Sequence, residues 1–266
     1  MIPRAMIQEW RNQGFPWKTD AMVEQDLIIS RVLVELFEEE SISSNLIFRG
    51  GTALHKLFFP EPYRYSEDID FVQHIPGPIG QVFDLIREKL IDWLGEPKRK
   101  LGPDTSALSY RFDSEDQPPL PLRVKIEINT REHSPFLPIV NKSVEVRSRW
   151  FSGTTMVAAN KLEELLATKL RALYQRRKGR DLFDLAMAIR TLDIDAREVV
   201  DVFKKYCEAS GIQIRAGELR KNVQAKLDHP GFLRDCDPII RPGVSFDLRH
   251  DFELIDSELL SLLTKD

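Results

Sequence analysis

The sequence predicts an α+β fold, with a mixed sheet in the first part of the chain and helices in the second. Up to about residue 150, short runs that alternate between apolar and polar residues are bounded by glycine or proline, as is typical of strands. From Asn160 onward the apolar residues recur at helical spacing instead. The change falls near Gly153, so we predict a sheet-containing domain of residues 1–153 and a helical domain of residues 154–266.

The elements of the first domain follow from local patterns. Met22–Glu40 has apolar residues at helical spacing with charges between them, which predicts an amphipathic helix. Leu46–Phe48 is a short apolar run that ends at a Gly-Gly pair, as a strand before a tight turn does. Thr52 is expected to cap a short helix through Leu57. Asp68–Val72 is a second strand-like run, and Gln81–Leu94 a second long helix.

The remaining elements are candidate sheet strands and a run of helices. Ser106–Phe112 and Leu122–Asn129 alternate on either side of a polar, proline-rich loop, and Asn141–Ser148 is a further candidate strand. Helical periodicity then predicts the following helices: Lys161–Gln175, Asp181–Leu192, Arg197–Ala209 and Phe252–Leu263.

Length and composition limit the class of protein. A chain of 266 residues buries a sufficient core without disulfides, and its two cysteines form no metal-binding or disulfide pattern. The most hydrophobic stretch is interrupted by Arg31 and Glu35, so no membrane segment is expected. We therefore expect a soluble cytoplasmic protein with no membrane partner. The net charge of −4 restricts any nucleic-acid contact to a local patch.

A phosphate-binding turn is predicted at Gly50 and Gly51. Two glycines let the main chain approach a ligand closely, and the helix that follows directs free N–H groups at an anion. Thr52 begins that helix, and Lys56 lies one turn later, where it could reach phosphate or simply be solvated. The loop that leads to the next strand supplies two further polar candidates, Arg64 and Ser66.

A metal site is predicted at Asp68 and Asp70. Residues two apart on a strand project from the same face, about 6.6 Å apart at Cα, so the two carboxylates can converge on one cation. Oxygen ligands of this kind suit Mg²⁺, or Mn²⁺ in its place. A solvent-facing pair on an edge strand is the alternative for the two aspartates alone, but the upstream Gly-Gly-Thr turn and short helix favour a nucleotide–metal site.

A third carboxylate is expected if two metals are to activate an acceptor hydroxyl and stabilise the leaving pyrophosphate. Glu127 is our choice, because Lys125, Glu127 and Asn129 share one face of a strand whose other face is apolar. Glu145, between two valines, has a similar local pattern. The sequence alone leaves both open.

Lys169 lies on the apolar stripe of its predicted helix, where a charged group needs a partner or a cleft. Asp181 or Asp184 on the next helix could meet it, either in a catalytic site or in a structural ion pair. The stretch from Lys169 to Arg180 also carries several cations without an acidic residue. It is either a local patch for nucleic acid or a solvated helix end.

These segments together resemble the AbiEii/AbiGii toxin family of nucleotidyltransferase-like proteins, which includes bacterial toxins that modify transfer RNA. The matching stretches cover about half of the chain and are the following: Phe48–Lys56, Arg64–Phe71, Lys125–Asn129 and Leu162–Leu185.

The resemblance implies a two-part enzyme with the DNA polymerase β-like nucleotidyltransferase fold, whose helical domain completes the active site. It implies an NTP substrate, an RNA acceptor such as the tRNA 3′ end, and a cognate antitoxin. It also implies that Asp68 and Asp70 bind metal, that Lys169 contacts the nucleotide, and that Asp181 belongs to the active site.

Three other functions compete with this one. A phosphatase of the haloacid dehalogenase type also uses Asp-x-Asp after a strand, but the Gly-Gly-Thr turn has no role in that chemistry. A metal-dependent glycosyltransferase acting on a nucleotide sugar would differ in its product. A nucleotide-binding or antitoxin-binding module would bind without turnover.

Overall fold

The computed structural model describes residues 2–263, which form two compact units. The first unit runs to Pro135 and includes Ile139–Asn160. The second comprises Phe136–Pro138 and the chain from Lys161 onward. Within the described residues, no helix is long and apolar enough to span a membrane.

The first unit is built on a seven-stranded mixed sheet with the strand order β3-β4-β5-β2-β1-β7-β6. Strands β2 and β5 are parallel, as are β1 and β7, while the other neighbours are antiparallel. The strands are β1 Leu46–Arg49, β2 Asp68–Gln73, β3 Lys98–Lys100, β4 Thr105–Asp113, β5 Pro121–Asn129, β6 Val140–Arg147 and β7 Ser152–Ala159.

Five helices accompany the sheet: α1 Arg4–Asn12, α2 Asp20–Phe37, α3 Glu40–Ser43, α4 Gly50–Leu57 and α5 Ile79–Leu94. Helix α2 begins at a cap in which the Thr19 side chain accepts from the N–H of Met22 (3.2 Å). It is buried along most of its length and contacts β5, β6 and β7. Ile69, Ile126 and Leu108 are fully buried on neighbouring strands, so one face of this half of the sheet belongs to the core.

The second unit is helical. Its helices are α6 Leu162–Gln175, α7 Gly179–Thr191, α8 Ala196–Ala209, α9 Ala216–Leu227, α10 Pro230–Leu233 and α11 Leu248–Glu258, followed by a 3₁₀ turn at Leu260–Leu262. Glu164 on α6 is fully buried and accepts hydrogen bonds from the main-chain N–H groups of Phe136 (3.0 Å) and Leu137 (2.9 Å). A buried carboxylate therefore holds the Phe136–Pro138 segment in this unit.

The predicted α+β class with a mixed sheet is confirmed, but six elements are missing from the sequence-based assignment. Helices α1, α3, α9 and α10 and strands β3 and β7 were not predicted. Strand β7 runs through Gly153 and pairs with β1 and β6, so the first unit extends to Asn160. Helix α4 begins at Gly50, not at a Thr52 cap. The Thr52 side chain is buried within the first turn and points at Ser66 and Asp68.

Candidate active site

The two aspartates of β2 project from the sheet face opposite the core. Asp68 and Asp70 are half-buried, whereas Ile69 between them is fully buried and Phe71 is almost so. The alternation follows from the two-residue period of a strand. Oδ1 of Asp68 is shielded from solvent and, among the described residues, has no hydrogen-bond partner. Such an atom is costly to bury unless another group satisfies it, and a cation or a ligand hydroxyl could do so.

Gly50 lies against Asp70. Its φ of +80° is in the left-handed region that favours glycine, and a Cβ built on it would lie 2.3 Å from Oδ2 of Asp70. Strand β1 pairs with β2 so that Arg49 is opposite Asp70, which brings the following turn to the aspartate. The glycine therefore satisfies two separate requirements, a backbone conformation and a close approach to a carboxylate.

The start of α4 is held by the residues that lead into β2. The Thr52 hydroxyl donates to the main-chain carbonyl of Asp68 and lies 2.9 Å from the Ser66 hydroxyl. Arg64 is buried and donates to the carbonyl of Tyr65 (2.9 Å), and its Nη2 would be 2.6 Å from a Cβ on Gly51. These contacts fix the Gly-Gly turn beside the aspartates.

The start of α4 has no side-chain cap from its N-cap residue. That residue is Arg49, and its side chain makes no capping hydrogen bond. The first N–H groups of a helix lack intrahelical partners and carry its positive dipole end. The turn can therefore accept an anionic group next to the carboxylates of Asp68 and Asp70.

The sheet order distinguishes the two glutamates that the sequence left open. Glu127 on β5 is in register with Asp70 on the adjacent parallel strand β2. Glu145 lies on β6, which is separated from β2 by β1 and β7, and it pairs with Arg147 (2.6 Å). Glu127 is thus the glutamate beside the aspartates, where it forms an ion pair with Lys125.

Asp68 and Asp70 could bind a divalent metal ion if substrate phosphates and water supplied its remaining ligands. Within residues 2–263, no three His, Cys, Asp or Glu side chains converge closely enough to form a metal site on their own. Asp68 and Asp70 offer carboxylate oxygens, including the unsatisfied Oδ1 of Asp68. Mg²⁺ is commonly held by one or two carboxylates together with substrate phosphates and water. The residues present fit a cation of this kind.

Lys56 is engaged elsewhere in the first unit. Its Nζ lies 3.1 Å from both carboxylate oxygens of Asp26 and 2.9 Å from the Ser30 hydroxyl, both on α2. Asp26 also accepts from Nε1 of Trp10 (2.9 Å). Since the Lys56 side chain is only 9% exposed, these contacts form a buried network that ties α4 to α2. The sequence identified Lys56 but not its partner Asp26.

In the second unit, Lys169 meets both of the aspartates that the sequence proposed as alternatives. Its Nζ lies 3.1 Å from Oδ1 of Asp181 and 2.8 Å from Oδ2 of Asp184, and both aspartates are fully buried. Lys169 itself is 7% exposed. The stripe position of this lysine is therefore explained by a buried ionic cluster between α6 and α7.

Arg176 completes this cluster. Its Nε and Nη2 donate to the two oxygens of Asp181 at 2.7 and 2.9 Å, a bidentate arrangement. Burial opposes ionisation of Asp181, but the charges of Lys169 and Arg176 outweigh it and hold the pKa of this carboxyl below its ordinary value. Arg176 stood out in the sequence only as one of several cations after α6.

Lys226 is a further polar residue that the sequence did not indicate. Its Nζ donates to the main-chain carbonyls of Leu173 and, at 2.8 Å, Tyr174, near the end of α6. Burial lowers the pKa of Lys226 to about 8. The lysine holds the last turn of the helix that carries Lys169.

Comparison with known proteins places these features in context. A family model described as nucleotidyl transferase AbiEii toxin of type IV toxin-antitoxin systems matches residues 31–254. No curated protein sequence matches the chain.

Solved structures share the fold. MenT4, a nucleotidyltransferase toxin from Mycobacterium tuberculosis H37Rv, superposes with a TM-score of 0.60 at 17% identity, covering 99% of this chain and 100% of that one. JHP933 from Helicobacter pylori gives 0.56 at 16% identity, with 92% and 93% covered. A putative nucleotidyltransferase from H. pylori gives 0.54 at 16%, with 93% and 100% covered. At these identities the likeness concerns the fold.

Proposed function

The chain belongs to the AbiEii family of nucleotidyltransferase toxins of type IV toxin-antitoxin systems, and from this premise we propose a specific reaction and site. The protein transfers a nucleoside monophosphate from an NTP to an acceptor hydroxyl at the 3′ end of tRNA. The family implies a cognate antitoxin as partner. The observation that supports the proposal most directly is the close approach of Gly50 to Asp70 at the uncapped start of α4.

Each proposed group has a role that its surroundings support. The free N–H groups of the first turn of α4 bind triphosphate oxygens. Thr52, Ser66 and Arg64 hold that turn in place through the contacts described above, and Lys56 anchors α4 to α2. The acceptor oxygen forms a bond to the α-phosphorus as the bond to pyrophosphate breaks, and the hydroxyl proton passes to a carboxylate, for which we propose Glu127.

Asp68 and Asp70, with Glu127 beside them, would hold Mg²⁺ or Mn²⁺. Such an ion, when bound, neutralises the developing charge on the phosphates and lowers the pKa of the acceptor hydroxyl. In the helical unit, we propose that Lys169 contacts the nucleotide and that Asp181 and Arg176 orient it through their ion pairs.

The test is direct transfer of label. Purified protein is incubated with Mg²⁺, each α-labelled NTP in turn and purified tRNA, and label on the RNA is followed on a denaturing gel. We expect incorporation from at least one NTP, release of pyrophosphate, and loss of both with a chelator. The Asp70→Asn variant, which keeps the shape of the side chain, should incorporate about a thousandfold less.

Two outcomes would contradict the proposal. Nucleotide binding without incorporation into any RNA would indicate a binding module. Transfer of the sugar from an added nucleotide sugar with release of a nucleoside diphosphate would indicate glycosyl transfer, and release of inorganic phosphate in place of pyrophosphate would indicate phosphatase chemistry. Melting temperatures measured alongside would show that the Asp70→Asn variant is folded, so that lost activity reports on chemistry.

A further inference from the structure

The sheet face that carries Asp68 and Asp70 extends outward over three more strands. Asp68 on β2 is in register with Lys125 on β5, which is in register with Ser109 on β4 and then with Lys98 on β3. Residues directly opposite each other on neighbouring strands point to the same side of a sheet. The row from Asp68 to Lys98 therefore lies on one face, opposite the face that packs into the core.

This face carries a group of exposed cations, which we call the basic face: Lys98, Lys100, Arg111 and Arg123. Arg111 and Arg123 are directly paired across β4 and β5, and Lys100 is paired with Ala107. Among residues 2–263, none of the four has a carboxylate within ion-pair distance. The nearby Lys125, in contrast, is neutralised by Glu127.

Paired like charges on adjacent strands cost stability, since their Cβ atoms are only about 5 Å apart. Arg111 opposite Arg123 is such a pair, and among the residues that the structure describes neither guanidinium has a carboxylate within ion-pair distance. The carboxylates on the same face are Asp113, two residues beyond Arg111 on β4, and the group formed by Asp68 and Asp70 on β2 and Glu127 on β5. An arrangement of this kind is suited to an external polyanion.

The surface between these cations lacks aromatic side chains in the part of the chain that the structure describes. Ala107 and Ser109 lie between the charged residues on β4, and none of the described outward-facing residues of β3, β4 and β5 is aromatic. Proteins that read single-stranded bases usually stack them on aromatic rings. The basic face therefore offers contacts to phosphates but not to bases.

We propose that the basic face binds the phosphate backbone of the acceptor RNA and guides its 3′ end to Asp68 and Asp70. This inference rests on the proposed function, in that the acceptor is RNA. Three strand spacings of about 4.8 Å place β3 about 14 Å from β2, so the track spans a few nucleotides. Because the whole chain has a net charge of −4, this local group of cations is what would attract a polyanion.

The experiment measures RNA affinity separately from catalysis. Fluorescence anisotropy with labelled tRNA is recorded at several salt concentrations, without NTP or metal, in the Asp70→Asn background. The double variants Arg111→Gln/Arg123→Gln and Lys98→Gln/Lys100→Gln remove two cations each. The control Arg197→Gln/Lys221→Gln removes two exposed cations from the helical unit, on α8 and α9.

Each basic-face double variant should weaken tRNA binding at least tenfold at low salt. The slope of log affinity against log salt should fall by about 1.4, since each lost contact to a single strand accounts for about 0.7. The control variant should bind like the parent. Label transfer by the corresponding variants with Asp70 intact should fall through a raised KM for RNA, while KM for NTP stays the same.

Unchanged tRNA affinity and salt slope in both double variants would overturn the inference, even if the wild type transfers nucleotides normally. The same holds if the variants bind RNA normally but escape neutralisation by antitoxin, because the face would then belong to a protein partner. If the variants lose RNA affinity but the wild type transfers no nucleotide, the proposed reaction is refuted while RNA binding by the basic face is supported.

Discussion

A side chain on Gly50 would begin 2.3 Å from Oδ2 of Asp70, closer than any real Cβ contact. The Asp70 carboxylate therefore occupies the space that a side chain at position 50, at the start of α4, would need. Adding a single methyl group must move either the turn that presents the N–H groups or the carboxylate itself.

Gly50→Ala should reduce nucleotidyl transfer by at least about a hundredfold, or 2.7 kcal/mol of barrier, because Asp70 is displaced. It should also destabilise the fold by about 1–3 kcal/mol, since alanine is strained at this φ. Gly95→Ala is a matched control, because Gly95 has a φ of +81° and open space where its Cβ would be. That variant should lose stability but keep activity. Equal activity loss in both would show that backbone strain alone is responsible.

Glu127→Gln should slow transfer by about tenfold to a hundredfold and raise the Mg²⁺ concentration needed for half-maximal rate. The reason is that Glu127 is in register with Asp70 on the adjacent strand. Glu145 lies on the edge strand β6, three strands from β2, so Glu145→Gln should leave the transfer rate and the required Mg²⁺ concentration unchanged. Initial rates over a Mg²⁺ titration measure this. The opposite pattern would transfer the role of third carboxylate to Glu145.

Lys169→Met should lower transfer activity at least about a hundredfold, about 2.7 kcal/mol. The structure also predicts a loss of about 3 kcal/mol of stability, because Asp184 loses its 2.8 Å partner inside the core. The double variant Lys169→Met/Asp184→Asn should recover part of the stability without recovering activity. Denaturant unfolding and label transfer measured together decide this, and a stable, active Lys169→Met would make the cluster dispensable.

Stability should depend on pH through Glu24, which is 1% exposed on α2 and accepts from the N–H of Glu115 (2.9 Å). Burial, together with the nearby charge of Asp116, raises the pKa of Glu24 to about 7. The pKa of Glu24 in the folded protein lies above its unfolded value of about 4.3. The contribution of protonated Glu24 to the free energy of unfolding is therefore fully present below pH 4.3 and is lost as the pH rises to 7.

Glu24→Gln removes this titration. Relative to the wild type, its free energy of unfolding should therefore rise by about 3 kcal/mol between pH 4.3 and 7 and stay level above that. The exposed Glu88→Gln on α5 is the control and should show no such difference. Denaturant unfolding at closely spaced pH values measures this, and parallel curves for Glu24→Gln and the wild type would refute the assignment.

Growth provides a test in the cell. Expression of the wild-type chain alone in bacteria should slow growth, and co-expression of the antitoxin gene should restore it, as membership in a toxin family implies. Asp70→Asn should be harmless at equal protein levels, because the proposed function attributes growth arrest to nucleotidyl transfer. Arrest by Asp70→Asn at those levels would mean that toxicity does not depend on the proposed chemistry.

Local pattern was enough to identify the centre of the candidate site. Its features depend only on neighbours within a few residues: a strand that ends in Gly-Gly, a short helix, and the alternation of Asp68, Ile69 and Asp70. Features of this kind can be predicted from local sequence. Strand β3 was not predicted because it consists of three charged residues and has no apolar face. Strand β7 was missed because its alternation is carried mainly by small and hydroxyl residues that also suit loops.

Tertiary structure decided the contacts between residues that are distant in the chain. Glu127 and Glu145 look alike locally, and only the sheet order puts one beside Asp70 and the other three strands away. Lys56 meets Asp26, and Lys169 meets both Asp181 and Asp184, because helices pack so that buried charges find partners. The basic face likewise exists only through pairing, since strand register is what aligns cations from three separate strands on one side of the sheet.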